Sequence, residues 1–238
     1  MHPYDNFAKF YDATMGDRSR NADFVRTLIE KHAPGARTLL ELACGTGSVL
    51  KHLARQYEVF GIDQSAQMLR IARTKLPNVE LHRADMVAFN LDRTFDVIIC
   101  VFDSMNHLLS FRAWTQVFRC AAKHLAKGGL FIFDVNMAPK LQRHIQEPAW
   151  VKTVDSGTVI VKVTDAGRGI SNWNIKVFEH QRGPRYRLHE KNIRELSFPA
   201  DRVLQALRRQ FKKVSVLDPA RSRPTLLSDR LYFICTGR

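Results

Sequence analysis

Gly45 and Gly47 stand one residue apart, where the apolar run Thr38-Leu39-Leu40-Glu41-Leu42 stops and a helical apolar pattern begins. Strand, glycine turn and helix N-terminus in that order build a pocket of the kind that takes nucleotides. Glycine lets the backbone bend there and lets a ligand approach it closely. Free N–H groups at a helix start favour an anionic group on that ligand. After the next apolar run, Tyr57-Glu58-Val59-Phe60-Gly61-Ile62, comes Asp63. A carboxylate ending a second strand can accept both hydroxyls of a ribose. The same residue could instead cap the helical stretch 64–72. Turn and acid together point to a ligand that carries a ribose.

Several ribose cofactors are excluded by spacing. The dinucleotide fingerprint needs a third glycine three residues after the second, and Leu50 stands there. A phosphate-cradling loop needs Gly-Lys-Ser or Gly-Lys-Thr, and the chain has neither. What remains is Glu-x-x-x-Gly-x-Gly from Glu41 to Gly47, Asp63, and Arg83-Ala84-Asp85-Met86 after a third apolar segment. In order and spacing, residues 36–136 resemble the class I S-adenosylmethionine-dependent methyltransferases. That resemblance implies a Rossmann-like sheet of seven strands, doubly wound, and S-adenosyl-L-methionine as cofactor.

The resemblance also assigns roles. Ala43, Cys44, Gly45, Thr46 and Gly47 would wrap the methionine part, its carboxylate meeting the helix N-terminus. Glu41 would point toward the amino group or the turn backbone. Asp63 would hold the ribose, with Gln64 and Met68 flanking the adenine. Asp85 would accept from the adenine amino group while the Met86 backbone N–H meets a ring nitrogen. Val101 and Phe102, just after strand four, would line the opposite wall.

Methyl transfer is an in-line displacement, so alignment supplies much of the catalysis. An amine or hydroxyl acceptor can also require a base. His107, in Phe102-Asp103-Ser104-Met105-Asn106-His107-Leu108, is the first candidate. The segment resembles that of small-molecule methyltransferases, amino-sugar N-methyltransferases included, where a histidine here faces the acceptor. A helix-start histidine satisfied by backbone is the alternative. Tyr11 is the second candidate, because an N-terminal Tyr-Asp segment folds over the cofactor in these relatives; a core aromatic is its alternative. Asp103 could orient the acceptor or cap the following helix. Trp150, Trp173, Arg185, Tyr186 and Arg187 are possible acceptor contacts, or equally packing and solvent-facing rows. No Asn-Pro-Pro-Tyr or Asp-Pro-Pro-Tyr follows strand four, and Cys100 lies inside that strand. Base methylation and cysteine-dependent C5 chemistry are thereby disfavoured.

Alternation of strands and helices predicts what positions these residues. Strands fall at 37–42, 58–62, 78–82, 95–102 and 130–135, with helices at 20–32, 46–56, 65–75 and 112–126 between or before them. The apolar run 95–102 is of the kind buried on both sides of a parallel sheet. Such a sheet binds ligands at the carboxyl ends of its strands, where all the motif residues fall. A short helix at 139–146 then precedes strands at 150–154, 158–165, 170–180 and 186–196, separated by Gly or Pro turns. They read as an antiparallel β addition after strand five, a lid and not a separate domain. A helix at 200–210 and strands at 212–217 and 231–235 complete the core, the last pair antiparallel by the resemblance. The expected organisation is thus a core with an N-terminal helical segment over 1–136, the lid over 137–198, and the rest of the core over 199–238.

The net charge of +14 is unevenly placed. Residues 1–136 hold 17 Lys and Arg against 14 Asp and Glu, whereas residues 137–238 hold 20 against 9. A basic surface concentrates anions, which fits an anionic small-molecule acceptor or RNA; it could also be an ordinary solvated surface. Cys44, Cys100, Cys120 and Cys235 form no C-x-x-C pair, so neither a metal site nor a disulfide framework is expected, and a reducing cytoplasm is. The start of the chain lacks a signal-peptide pattern, and no apolar run reaches the ~18 residues of a membrane span. Three functions fit: methylation of an amine or hydroxyl on a small metabolite, RNA methylation through the basic half, or cofactor binding without chemistry. Neither the acceptor nor the oligomeric state is readable from the residues.

Overall fold

The computed structural model describes residues 7–155 and 157–237. The first copy of the repeated Tyr-Asp pair, Tyr4-Asp5, lies outside them. Continuous apolar runs on successive strands give a sheet with two greasy faces, each needing a helical cover. The seven strands are β1 (Thr38–Leu42), β2 (Glu58–Asp63), β3 (Glu80–Arg83), β4 (Phe95–Cys100), β5 (Leu125–Asn136), β10 (Lys213–Leu217) and β11 (Arg230–Thr236). Their order is β10-β11-β5-β4-β1-β2-β3, with β11 antiparallel to both β5 and β10. The order reverses at β1, between β2 and β4. Ligands of open α/β sheets bind at such a switch point.

Two helical layers cover the sheet. On one side α2 (Ser19–His32), α3 (Leu50–Leu53) and α4 (Ala66–Lys75) bury Ile29, Leu50, Leu69 and Ala72 against Leu39, Val59, Val97 and Ile132. On the other, α5 (Phe111–His124) and α7 (Ala200–Leu207) bury Trp114, Phe118, Val203 and Leu207 against Leu40, Ile98, Phe131 and Phe133. Consecutive residues of one strand thus serve opposite cores, the signature of a strand covered on both faces.

After α6 (Ala138–Gln146) come β6 (Trp150–Val154), β7 (Gly157–Asp165), β8 (Ile170–His180) and β9 (Tyr186–Leu196), paired antiparallel in sequence order as a second sheet. Its inner face presents Val159, Val161, Ile175, Val177 and Ile193 to Phe7 and to Phe10 of α1 (Ala8–Met15). The N-terminal helix and the second sheet therefore share a small core of their own.

Three local expectations need correction. The helix expected over 46–56 shrinks to the single turn Leu50–Leu53, because Gly47 has a positive φ of 72° and the chain before it is held in turns. The glycine pair Gly128-Gly129 does not separate α5 from β5; it lies within β5, where the pairing with β4 shifts register between Phe95 and Val97. Strand four ends at Cys100 and not at residue 102, since Phe102 and Asp103 both adopt left-handed backbone (φ 68° and 51°). The cause is tertiary: the Asp134 carboxylate accepts from Phe102 N–H at 2.6 Å and from Asp103 N–H at 3.3 Å.

Candidate active site

The turn after β1 enters with Ala43 in left-handed conformation (φ 53°), followed by Gly45 (φ 55°) and Gly47 (φ 72°). The two glycines have different reasons. A Cβ at Gly47 would come within 2.9 Å of Leu76 Cδ1, so its bareness lets α4 pack close. A Cβ at Gly45 would meet no atom of the described residues within 4 Å, because that face opens into a cavity. Asp63, at the end of β2, ties the turn down. Its Oδ2 accepts from Gly45 N–H at 2.8 Å and its Oδ1 from Ser65 N–H at 2.8 Å. The helix cap predicted as an alternative role for Asp63 belongs to Ser65, whose hydroxyl accepts from Met68 N–H. Asp63 also lines the cavity, and a carboxylate there can accept hydroxyls.

The N-terminal helix is fastened to the same turn. Asp12 Oδ1 accepts from Thr46 Oγ1 at 2.6 Å and from Ser48 Oγ at 2.7 Å, while Lys75 Nζ at the end of α4 donates to Asp12 Oδ2 at 2.5 Å. Burial pushes Asp12 up, but the hydrogen bonds from Lys75, Thr46 and Ser48 outweigh it and leave the group below its ordinary value. Tyr11, on the adjacent position, lines the cavity. Burial raises its phenol well above the usual range, with Arg18 opposing and Asp103, Asp63 and Asp12 adding. Tyr11 is therefore a hydrogen-bond donor at neutral pH and no proton acceptor. The Arg18 guanidinium lies 3.7 Å over the Phe102 ring, a close cation–π contact.

The cavity encloses about 810 Å³ and runs from this turn to the second sheet. Its far end is polar. Arg230, at the start of β11, donates to Asp134 Oδ2 at 2.5 Å, Asp103 Oδ1 at 2.6 Å and Asn136 Oδ1 at 2.8 Å. Lys140 Nζ donates to the same Asn136 oxygen at 3.0 Å. Burial pushes Asp134 up to about 6, against the pull of Arg230 and the two backbone N–H groups, so it remains a carboxylate at pH 7. Asn136, its oxygen spent on two cations, turns its amide nitrogen to Glu195. Glu195, inward-facing on β9, is 5% exposed and its Oε2 has no hydrogen-bond partner among the described residues. Burial, reinforced by Asp103, raises Glu195 to about 8. The ligand-capable atoms of Asp103, His107 and Glu195 all lie within 4.8 Å of one another.

Of the residues singled out from sequence, Tyr11, Ala43, Gly45, Asp63, Gln64 and Met68 line this cavity, as do Met86, Phe102 and His107. Trp150 and Trp173 line it as well. Six others do not line it. Glu41 is 3% exposed under the turn and takes the Leu50 backbone N–H, with its Oε2 unpartnered among the described residues and its carboxyl pushed up by burial. Cys44 and Val101 are core residues, Thr46 serves Asp12, and Gly47 packs on α4. Asp85 is exposed, with Oδ1 accepting from Val87 N–H. Arg185, Tyr186 and Arg187 are exposed and away from the cavity. Sequence reasoning missed Arg18, Asp134, Arg230 and Glu195. Two of these carried a signal: Asp134 interrupts the apolar run of β5, and Glu195 follows Ile193 at inward strand parity.

The turn and acid fit the nucleoside and amino-acid ends of S-adenosylmethionine on these observations: an open glycine face, the Asp63 carboxylate on the cavity wall, and apolar walls at Met68, Met86 and Phe102. A family profile described as a methyltransferase domain matches residues 39–129. The chain is 33% identical over 172 residues to the dTDP-3-amino-3,6-dideoxy-alpha-D-glucopyranose N,N-dimethyltransferase of Streptomyces fradiae, covering 71% of this chain and 66% of that protein. It is 31% identical to the dTDP-3-amino-3,4,6-trideoxy-alpha-D-glucopyranose N,N-dimethyltransferase of Streptomyces venezuelae, covering 55% of each. The match thus spans between about half and two thirds of these relatives' lengths. Among solved structures, the sugar N-methyltransferase KedS8 from a Streptoalloteichus species superposes with a TM-score of 0.83 at 26% identity, covering 98% of this chain and 92% of that one.

Proposed function

The chain belongs to the class I S-adenosylmethionine-dependent methyltransferases, and we propose that it methylates the amine of a small, anionic metabolite, a nucleotide-linked amino sugar being the class its relatives suggest. The observation that carries this reading is a single cavity with Asp63 and Gly45 at one end and Asp103, His107 and Glu195 at the other. S-adenosylmethionine supplies an electrophilic methyl group carried on a positively charged sulfur.

The chain's own residues do the rest. Asp63 accepts the ribose hydroxyls while Gln64, Met68 and Met86 enclose the base; Asp85 and the Met86 N–H are further contacts for the adenine. Ala43, Gly45 and the turn backbone shape the methionine end, Tyr11 donates a hydrogen bond from the helix above, and Phe102 closes the wall. His107 faces the acceptor. Arg18, Lys140 and Arg194 border the cavity and suit an anionic acceptor. With both reactants held in one cavity, alignment contributes most of the rate. No helix among the described residues is long and apolar enough to cross a membrane, and the four free cysteines fit a reducing cytoplasm.

The test is a mass-shift assay of purified protein with S-adenosylmethionine and dTDP-3-amino-3,6-dideoxyglucose, beside a wider panel of amines and alcohols. Gain of one or two methyl groups on an amine supports the proposal. Product formation on an alcohol alone, or on RNA alone, would overturn it, as would cofactor binding with no product from any acceptor.

A further inference from the structure

Resting on the reading of the cavity as a methyl-transfer site, we propose that Asp103, His107 and Glu195 form an ammonium-binding subsite for the acceptor, with Glu195 Oε2 taking the proton that frees the nitrogen lone pair. Glu195 is then a catalytic residue and the chain is committed to amines over alcohols.

Geometry is the first support. A point between three atoms that lie within 4.8 Å of one another is at most about 2.8 Å from each, the separation of an N–H···O bond. An ammonium carries three donors and would meet three acceptors. The second support is Glu195 Oε2, buried against the cavity with no hydrogen-bond partner among the described residues. A buried carboxyl oxygen left unpaired is costly, and its position on the cavity wall gives it a ligand to pair with.

Charge decides between an ammonium and a divalent metal. Every element packed here contributes charged groups: Asp103 and His107 from the 3-10 turn Ser104–His107 and its cap, Asp134 from β5, Lys140 from α6, and Arg230 from β11. Arg230 already occupies Asp103 Oδ1, and Lys140 shares Asn136 with it. A divalent ion that displaced the Glu195 proton would still add one positive charge beside two cations. An ammonium that hands a proton to Glu195 adds none.

The proton balance is simple. Free Glu195, raised to about 8 by burial and Asp103, holds its proton at pH 7. An entering ammonium displaces that proton to solvent. One N–H bond of the ammonium then breaks and an O–H bond forms at Oε2, leaving a neutral amine with its lone pair free. Glu195 keeps this proton, which restores its resting form, and the methylated product leaves as an ammonium, so one proton per turnover reaches solvent. Desolvation makes such a carboxyl a proton acceptor matched to neutral pH.

Calorimetry on protein loaded with S-adenosylhomocysteine tests this with two matched pairs: dTDP-3-amino-3,6-dideoxyglucose against dTDP-6-deoxyglucose, and cyclohexylamine against cyclohexanol. The wild-type protein is expected to prefer an amine by about tenfold or more and to release about one proton per site at pH 7, read from two buffers of different ionisation enthalpy. Glu195→Gln should lose both the preference and the proton release while keeping its S-adenosylhomocysteine affinity. If only cyclohexylamine behaves this way, the subsite stands and the nucleotide-sugar reading falls. If neither amine is preferred, or the preference and proton release survive in Glu195→Gln, the subsite is overturned. Zn²⁺ binding that excludes the amines and is lost in Glu195→Gln would replace it with a metal site.

Discussion

Asp63 Oδ2 receives the Gly45 backbone N–H at 2.8 Å, so the acid ending β2 and the turn ending β1 are one rigid unit. The two residues belong to adjacent parallel strands, whose pairing runs to Leu42 opposite Ile62. Asp63 thus shapes the turn as well as facing the cavity. Asp63→Ala is expected to weaken cofactor binding by roughly 2–4 kcal/mol, the loss of charge-assisted hydrogen bonds together with some turn order. Titration calorimetry with S-adenosylhomocysteine measures this. Wild-type affinity in the variant would remove Asp63 from the ribose role.

Gly45 and Gly47 should separate by substitution. Both have positive φ, so alanine at either costs roughly 1–2 kcal/mol of backbone strain. At Gly45 the new methyl points into open cavity; at Gly47 it presses on Leu76 and Ala72. Gly45→Ala should therefore lose cofactor affinity beyond its loss of stability, whereas Gly47→Ala should lose mainly stability. Urea unfolding and cofactor titration on the same two variants make the comparison. Equal binding losses at equal stability would contradict the assignment of the open face.

The link from Asp12 to Lys75, Thr46 and Ser48 predicts an acid dependence. Asp12 is held below its ordinary value by those hydrogen bonds. Its stabilisation is present above the unfolded carboxylate range and lost as pH falls through the lower folded value. Because Asp12 is more than a third exposed, solvent screening keeps its worth to about 1 kcal/mol or less. Asp12→Asn should flatten the fall in unfolding midpoint on the acid side of pH 4 and leave the neutral range little changed. An unaltered acid limb would show that the link carries no net stability.

Glu195 predicts the opposite slope. Its folded value, about 8, lies above the ordinary 4.5, so the folded state holds the extra proton between those limits. Stability must then fall as pH rises through that window. Relative to Glu195→Gln, the wild-type protein should lose stability steadily from about pH 5 to pH 8 and no further above it. Parallel midpoints for the two proteins across the range would mean that Glu195 is ionised throughout.

Local signals made the cofactor end readable. Residues 39–47 spell strand and turn within one stretch, and Asp63 and Met86 each follow an apolar run that ends at the same sheet edge. Hairpin punctuation likewise located β6 to β9 almost to the residue. The polar far end of the cavity was less legible because it is assembled from distant segments: Asp103, Asp134, Asn136, Glu195 and Arg230 meet only after the second sheet folds back and β11 inserts beside β5. The early end of strand four had the same origin. Nothing local in Cys100-Val101-Phe102-Asp103 announces two left-handed residues; the Asp134 carboxylate imposes them. The turn's helix was overestimated because apolar periodicity does not register the positive φ of Gly47.

Tyr11 should act as a donor, since burial holds its phenol protonated. Tyr11→Phe is expected to cost about one hydrogen bond, roughly 0.5–1.5 kcal/mol, in binding or turnover, without shifting the pH profile. A displaced pH profile in the variant would instead identify Tyr11 as the titrating base.

A crystal structure with S-adenosylhomocysteine and an amino sugar bound tests the central claim most directly. The account predicts ribose hydroxyls within hydrogen-bond reach of Asp63, the sulfur directed along the cavity, and the amine between Asp103, His107 and Glu195. A nucleoside seated away from Asp63, or an amine on the opposite side of the cavity from Glu195, would contradict it.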